Sequence, residues 1–330
     1  MKKDIKDILV VRFSSLGDLV LITGVIKYIK TNINSDLNID VLTMSNFSEV
    51  LNNNPYIRNV YTIPKGAKVS VLNDKIASMP DYDAVVDLHK NTRSFLTKLI
   101  LSCKSYTYNK NSIARRQFVK NRIFKFRLKK HVVEKYFEPF AKLLNIKETP
   151  SLEELRPFIT PIINKDFINS KKKKIVTIHP FASKQTKVWP FFPKLISSLI
   201  EDGVDVIVIG IGEIENLNPK AINKTGPLSL DVINNIISSS DAFVSTDSGP
   251  MHIGVALNIP TIAIFGPTTK ELGFYPDFKN VKVIENIDLK CRPCHIHGSN
   301  SCPKKHFKCM IDIGSEEIRF HVNSILNINH

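Results

Sequence analysis

No stretch of the 330 residues approaches the ~20 consecutive apolar positions that span a bilayer. The one apolar run near the N-terminus, Ile8 to Phe13, is too short for a signal peptide and is soon broken by Arg12 and Asp18. Neither a spanning helix nor a signal peptide is therefore expected, and a cytoplasmic location is. Cysteine is scarce, five in all. Cys103 stands alone and the other four crowd into residues 291–309, unlike the spread of a secreted disulfide framework. Acid is scarce as well: 31 Asp and Glu against 46 Lys and Arg give a net charge of +15. That surplus favours an anionic partner, whether nucleic acid, a phosphate-bearing ligand or a membrane surface. There is no internal repeat of fixed period, and no Gly-x-Gly-x-x-Gly follows the first strand, so a dinucleotide fingerprint is missing.

What is present is a soluble, globular pattern long enough for two domains of roughly 150 residues each. Ile8–Phe13, Ile39–Thr43, Val60–Ile63, Ala84–Leu88 and Ser105–Tyr108 read as strands. Leu19–Lys30, Phe47–Asn52, Val71–Ser78, Thr92–Leu101 and His131–Leu144 carry helical spacing between or after them. Such alternation predicts a parallel α/β sheet. A polar stretch, Asn164 to Lys174, ends in four lysines and marks a boundary. The alternation restarts at Ile175–His179 and runs to Thr261–Phe265. The expected division is one Rossmann-like domain over 1–165 and a second over 172–312. A last helix over 313–330, with Ser315 as its cap, is expected to pack back on the N-terminal domain. Two Rossmann-like domains facing across a cleft, with ligands at the strand carboxyl ends, is the fold class this predicts.

Two turns carry the chemistry. From Ala242 to Thr268 the chain reads strand, tight turn, helix, strand and a Gly-Pro turn. Asp247-Ser248-Gly249 supplies turn and N-cap residues, and Pro250 sits where a first helical turn tolerates a missing N–H. A helix start at the carboxyl edge of a parallel sheet is a ready phosphate site, although Asp247 as a plain cap explains the same residues. His252, one turn in, could face core or crevice. Near the N-terminus, Ser14-Ser15-Leu16-Gly17-Asp18 makes a similar strand-to-helix turn that Gly17 permits, with Ser and Asp as simple caps the alternative.

Together with His179-Pro180, Lys187-Val188-Trp189-Pro190 and Phe265-Gly266-Pro267-Thr268, these two turns resemble the family 9 glycosyltransferases, the lipopolysaccharide heptosyltransferases. The resemblance covers nearly the whole chain. It implies a GT-B fold and inverting transfer of heptose from ADP-heptose to a Kdo-lipid A type acceptor on the inner face of the inner membrane. Asp18 then resembles the family's base. With no Asp-x-Asp metal triplet except Asp81-Tyr82-Asp83, which reads as solvated residues before a strand, Lys187 and the Ser248-Gly249 helix start would neutralise the diphosphate without metal. Ser14, Ser15 and Ser183 add hydroxyls, and Asp247 and His252 match the donor motif. Leu228 is placed near the base, and Glu213 and Glu215 both qualify as ribose partners. The alternatives are a family member handling another sugar or acceptor, or a basic lipid- or nucleic-acid-binding protein on the same scaffold.

Ten basic residues and no acidic ones lie between Lys104 and Lys130, interleaved with aromatics. Without a nucleic-acid-binding motif beside them, Arg115, Arg116, Lys120 and Arg122 are read as an acceptor and anionic-membrane surface. Cys291, Cys294, Cys302 and Cys309 have the spacing of a small structural zinc site; a reduced, packed thiol cluster is the alternative. No cofactor is expected for transfer itself.

Overall fold

Strands buried on both faces must be apolar throughout, and that is what fixes the two sheets. A computed structural model describes residues 5–163 and 173–328. It divides into two units: residues 1–110 with 130–160, and residues 111–129 with 161–330. The boundary expected at Asn164 to Lys174 falls mostly outside the described residues. The excursion of 111–129 into the second unit has no counterpart in the sequence reading.

The first unit contains β1 (Asp7–Val11), α1 (Leu16–Tyr28), β2 (Asn38–Met44), β3 (Val60–Ile63), α2 (Val69–Ala77), β4 (Ala84–Asp87), α3 (Thr92–Leu101) and β5 (Lys104–Thr107). After the excursion, which holds α4 (Ser112–Asn121), it closes with α5 (Val132–Leu144). The strands are parallel in the order β3-β2-β1-β4-β5. Ile8, Leu9, Val10 and Val11 are wholly buried, each side chain contributing about 1.5–3 kcal/mol. Helix α1 lies so close to the chain at Leu155 that a Cβ on Gly24 would sit 2.2 Å from the Leu155 carbonyl oxygen. Glycine is therefore required there, and an alanine would push backbone apart. The expected segment Phe47–Asn52 is a 3₁₀ turn over Ser45–Leu51 rather than an α-helix.

The second unit contains β6 (Ile175–His179), α6 (Phe192–Glu201), β7 (Asp205–Gly210), β8 (Ile222–Thr225), α7 (Leu230–Ser238), β9 (Ala242–Thr246), α8 (Gly249–Ala256), β10 (Thr261–Phe265), β11 (Val281–Glu285), α9 (Lys308–Ile311) and α10 (Ser315–Leu326). Its parallel order is β11-β10-β9-β6-β7-β8. Edge strands β8 and β11 had not been expected. The last helix corrects another expectation. Ile318, Val322 and Leu326 of α10 enter the second unit's own core with Leu195, Ile196 and Leu199 of α6, and Arg319 pairs with Asp202 at 2.5 Å. An apolar stripe facing α6 and a buried acid at the end of α6 hold the helix on the second unit.

Candidate active site

In the first unit the expected residue Asp18 is the third residue of α1. Its Oδ2 accepts from the Ser15 backbone N–H at 3.1 Å and the Ser15 hydroxyl at 2.9 Å, so the carboxylate closes the first helical turn. Its other oxygen accepts from the Tyr136 hydroxyl at 2.5 Å, and Arg12 Nη2 pairs with Oδ2 at 2.5 Å. Burial alone would raise this carboxyl. The Arg12 guanidinium and the Tyr136 and Ser15 hydrogen bonds together outweigh it and hold the carboxyl at about 2. Arg12 is fixed in turn by donating to the Ser14 carbonyl at 2.5 Å and to the Leu88 carbonyl, and it lies over the Tyr136 ring. His89 meets Phe13 edge-on at 5.6 Å; burial, then the Arg12 and Lys110 charges, push it down to about 4, so it is neutral near pH 7. Ser14 is half-buried, Ser15 exposed and Gly17 buried. Of Asp81-Tyr82-Asp83, Asp81 is exposed as expected, whereas Tyr82 is buried and donates to Asp40, and Asp83 accepts from the Lys6 and Asp7 amides.

In the second unit, the carboxyl ends of β6, β7, β9 and β10 bring His179, Gly210, Thr246 and Phe265 to one edge, where parallel sheets bind ligands. The N-cap of α8 is Ser248, not Asp247. Instead Asp247 turns aside. Its Oδ2 accepts from Lys187 Nζ at 2.8 Å and from the Thr268 hydroxyl at 2.7 Å, and all three residues are buried. Thus the expected anion-binding lysine is held by the expected donor-site aspartate. Lysine has three N–H donors, so the pair leaves two for a ligand. His179 Nδ1 lies 3.4 Å from the Ser245 hydroxyl and 3.3 Å from that of Ser248. Burial lowers His179 to about 4, which makes it a neutral hydrogen-bonding partner at that turn. Trp189 donates to the Ile313 carbonyl at 3.0 Å and anchors the segment carrying Lys187. His252 is buried within α8. Ser183, Glu213 and Glu215 are exposed and Leu228 half-buried. A Cβ on Gly210 or Gly212 would come within 2.5 or 2.4 Å of the Phe181 ring, so the loop bearing the two glutamates needs glycine at both points.

The basic surface is corrected in part. Arg116 and Lys120 are exposed. Arg115 is buried with its guanidinium 5.2 Å from the Phe274 ring, because α4 turns Ala114, Arg115 and Phe118 inward. Arg122 donates to the carbonyls of Pro293 at 2.7 Å and Cys291 at 2.9 Å, tying the excursion to the cysteine loop. Ile113 and Phe126 are 74% and 64% exposed beside Lys120, Lys125, Arg127 and Lys129. A cavity of about 460 Å³ opens next to them, lined by Lys125, Phe126, Leu128, Lys129, Lys270 and Glu271. Cys291 Sγ lies 3.8 Å from His306 Nε2. Burial and the neighbouring Cys294 push Cys309 up to about 12, and burial, then the Cys291 and Cys302 thiols, raise Cys294. Among the described residues no three His, Cys, Asp or Glu side chains meet as a closed metal-binding group, while the four cysteines lie near enough for their charges to act on one another.

Arg12, Tyr136, His89 and Thr268 were not assigned to the site from sequence, although Thr268 closes the Phe265-Gly266-Pro267-Thr268 motif. A lone arginine at the end of a buried strand was the available signal for the first of them.

A family profile described as glycosyltransferase family 9 (heptosyltransferase) matches residues 78–305. The chain is similar to lipopolysaccharide heptosyltransferase 1 of Campylobacter coli, 26% identical over 334 residues, 89% of this chain and 94% of that relative. It is similar in structure to a family 9 glycosyl transferase of Veillonella parvula, with TM-score 0.78 and 17% identity over 100% of this chain and 99% of that one. A second solved structure, E. coli ADP-heptose LPS heptosyltransferase II, matches with TM-score 0.74 and 20% identity over 97% of this chain and 98% of that one. These structural likenesses speak for the fold, which is GT-B. The profile covers more than half of the chain, and this protein belongs to glycosyltransferase family 9, the heptosyltransferase family.

Proposed function

We propose that the enzyme transfers heptose from ADP-heptose to an inner-core acceptor of the Kdo-lipid A type, in lipopolysaccharide core biosynthesis, with inversion. The observation that carries this reading is Asp18, a buried carboxylate held ionised at the start of α1. In an inverting displacement the acceptor hydroxyl attacks the anomeric carbon, the bond from that carbon to the diphosphate oxygen breaks, and the hydroxyl proton passes to the base. A base titrating near 2 takes a proton only when the hydroxyl has become strongly acidic, late in bond formation. Arg12 and Tyr136 keep it charged and aimed until then.

Lys187, with the free N–H groups at the start of α8, would meet the negative charge growing on the departing ADP. This reading needs no metal at the phosphates. Transfer is therefore expected to continue in EDTA, and loss that magnesium or manganese restores would overturn this part.

The exposed part of residues 111–129 suits an anionic membrane surface: Ile113, Ile123 and Phe126 stand out among Arg116, Lys120, Lys125, Arg127 and Lys129. Among the described residues no helix is long and apolar enough to cross a membrane. An acceptor-panel assay tests the central proposal. ADP release is expected only when ADP-heptose and deacylated Kdo-lipid A, or its heptosylated form, are both supplied. Release with another nucleotide sugar or acceptor instead would reassign the substrates within the family.

A further inference from the structure

We propose that the loop from Cys291 to Ser299 is a clamp that positions Lys187 and Asp247, with Gly298 as its contact on the lysine. The inference rests on the reading of Lys187 as the residue that meets the donor diphosphate. Gly298 has φ +78°, and a Cβ there would lie 2.9 Å from both Cγ and Cδ of Lys187 and 3.1 Å from Cβ of Lys184. The loop backbone thus lies flat on the stem of the lysine, where only glycine fits. Beside that contact, Ser299 and Thr186 exchange three hydrogen bonds. The Thr186 N–H and hydroxyl donate to the Ser299 carbonyl at 3.0 and 2.8 Å, and the Ser299 N–H donates to the Thr186 hydroxyl at 2.8 Å.

The other end of the same loop holds Asp247. Arg292 is buried and paired with Glu285 at 2.5 Å; it donates to the Gly266 carbonyl and, at 2.9 Å, to that of Thr268. The Cys294 N–H donates to the Pro267 carbonyl at 3.1 Å. Residues 266–268 are thereby fixed, and Thr268 donates to Asp247. One loop therefore supports both members of the buried ion pair. A free lysine side chain loses rotamer freedom when a ligand immobilises it. A clamp that has already removed that freedom leaves more of the phosphate interaction for binding and for the departing charge. Gly298 and Arg292 are positioning residues in this account; neither touches the substrate.

Calorimetry with ADP tests it in four variants. Lys187→Met first tests the underlying reading, and about tenfold or greater loss of affinity is expected. Gly298→Ala is expected to weaken ADP by a similar factor. Gly203→Ala is the control for backbone strain, since Gly203 has φ +83° and nothing within 4 Å of its Cβ position. It should lower the Tm comparably and leave ADP affinity unchanged. Gly298→Asn keeps the Cβ while relieving the left-handed strain, so it should recover Tm without recovering affinity. Should Gly298→Ala fail to fold, Thr186→Val removes two of the three bonds to Ser299 and is expected to weaken ADP measurably. If Lys187→Met loses affinity but the Gly298 and Thr186 variants bind like wild type, the clamp is wrong and the donor reading stands. Unchanged affinity in Lys187→Met would overturn both.

Discussion

The most informative perturbation is the removal of the Asp18 charge with its shape retained. A carboxyl with an ordinary value of 3.8 that titrates at about 2 when folded contributes about 2 kcal/mol of stability at neutral pH. Because the folded value is the lower one, that stability is fully present above about pH 4 and is lost as the pH falls toward 2. Asp18→Asn forfeits it at every pH and strands Arg12, which is 6% exposed, beside a neutral amide. Breaking one side of a buried pair costs about 3–5 kcal/mol. The difference between wild type and Asp18→Asn in denaturant unfolding should therefore be several kcal/mol at pH 7 and should shrink steadily below pH 4. ADP affinity, which the proposed function assigns to the second unit, should stay within about twofold if the fold survives.

Transfer should fall by about 10²–10⁴, the scale of a lost general base. Lost activity in an unstable protein proves little. Arg12→Met combined with Asp18→Asn removes both charges, and replacing a buried pair by neutral groups is often close to neutral for stability. The double variant should thus regain most of the stability of the wild type and none of the transfer. Transfer restored to more than about a tenth of wild type would remove Asp18 from the base role. A stability loss below about 1 kcal/mol for Asp18→Asn would show that the Arg12 pair is not what holds the carboxyl down.

Two further outcomes are expected. Arg116→Glu, Lys120→Glu and Lys129→Glu together should abolish sedimentation with phosphatidylglycerol vesicles while ADP affinity is unchanged, at about 1 kcal/mol per basic residue near the surface; unaltered vesicle binding would make the patch a solvated face. Cys309→Ser should lower stability by about 1–3 kcal/mol by placing a hydroxyl in the core, with no stoichiometric zinc in wild-type protein purified under reducing conditions; one equivalent of zinc by metal analysis would refute the thiol reading.

The sheets were legible because parallel strands buried on both faces write themselves as Val/Ile runs; β1, β4, β6, β9 and β10 all follow that rule. The edge strands of the second sheet were not, although β3 and β5 at the edges of the first sheet were. Ile222–Thr225 is mostly exposed and carries only four residues, so it has neither the length nor the apolarity of a signal. The charge run over 104–130 was legible as a run, yet composition does not say which arginines point inward. Arg115 turns inward because Phe274 lies opposite it, and Arg122, itself exposed, is tied down by the carbonyls of the cysteine loop; both sets of partners lie more than 150 positions along the chain.

The same limit governs the site. Motif spacing named Asp18, Lys187 and Asp247, the residues at turns where the chain's own chemistry is local. Their partners are remote. Tyr136 reaches Asp18 across 118 positions, and on sequence alone it was one more apolar residue on an amphipathic helix. Lys187 and Asp247 each resembled a ligand contact, whereas their 2.8 Å pairing makes each the first partner of the other. On the proposed reading, a donor phosphate arriving there would share an ammonium already engaged with a carboxylate. The affinity of the site is then set by how firmly Lys187 is held in place, as well as by its charge. Firmness of that kind resides in Gly298, Thr186 and Arg292, whose letters carry no catalytic signature, so it becomes visible only when the loop is seen lying on the lysine.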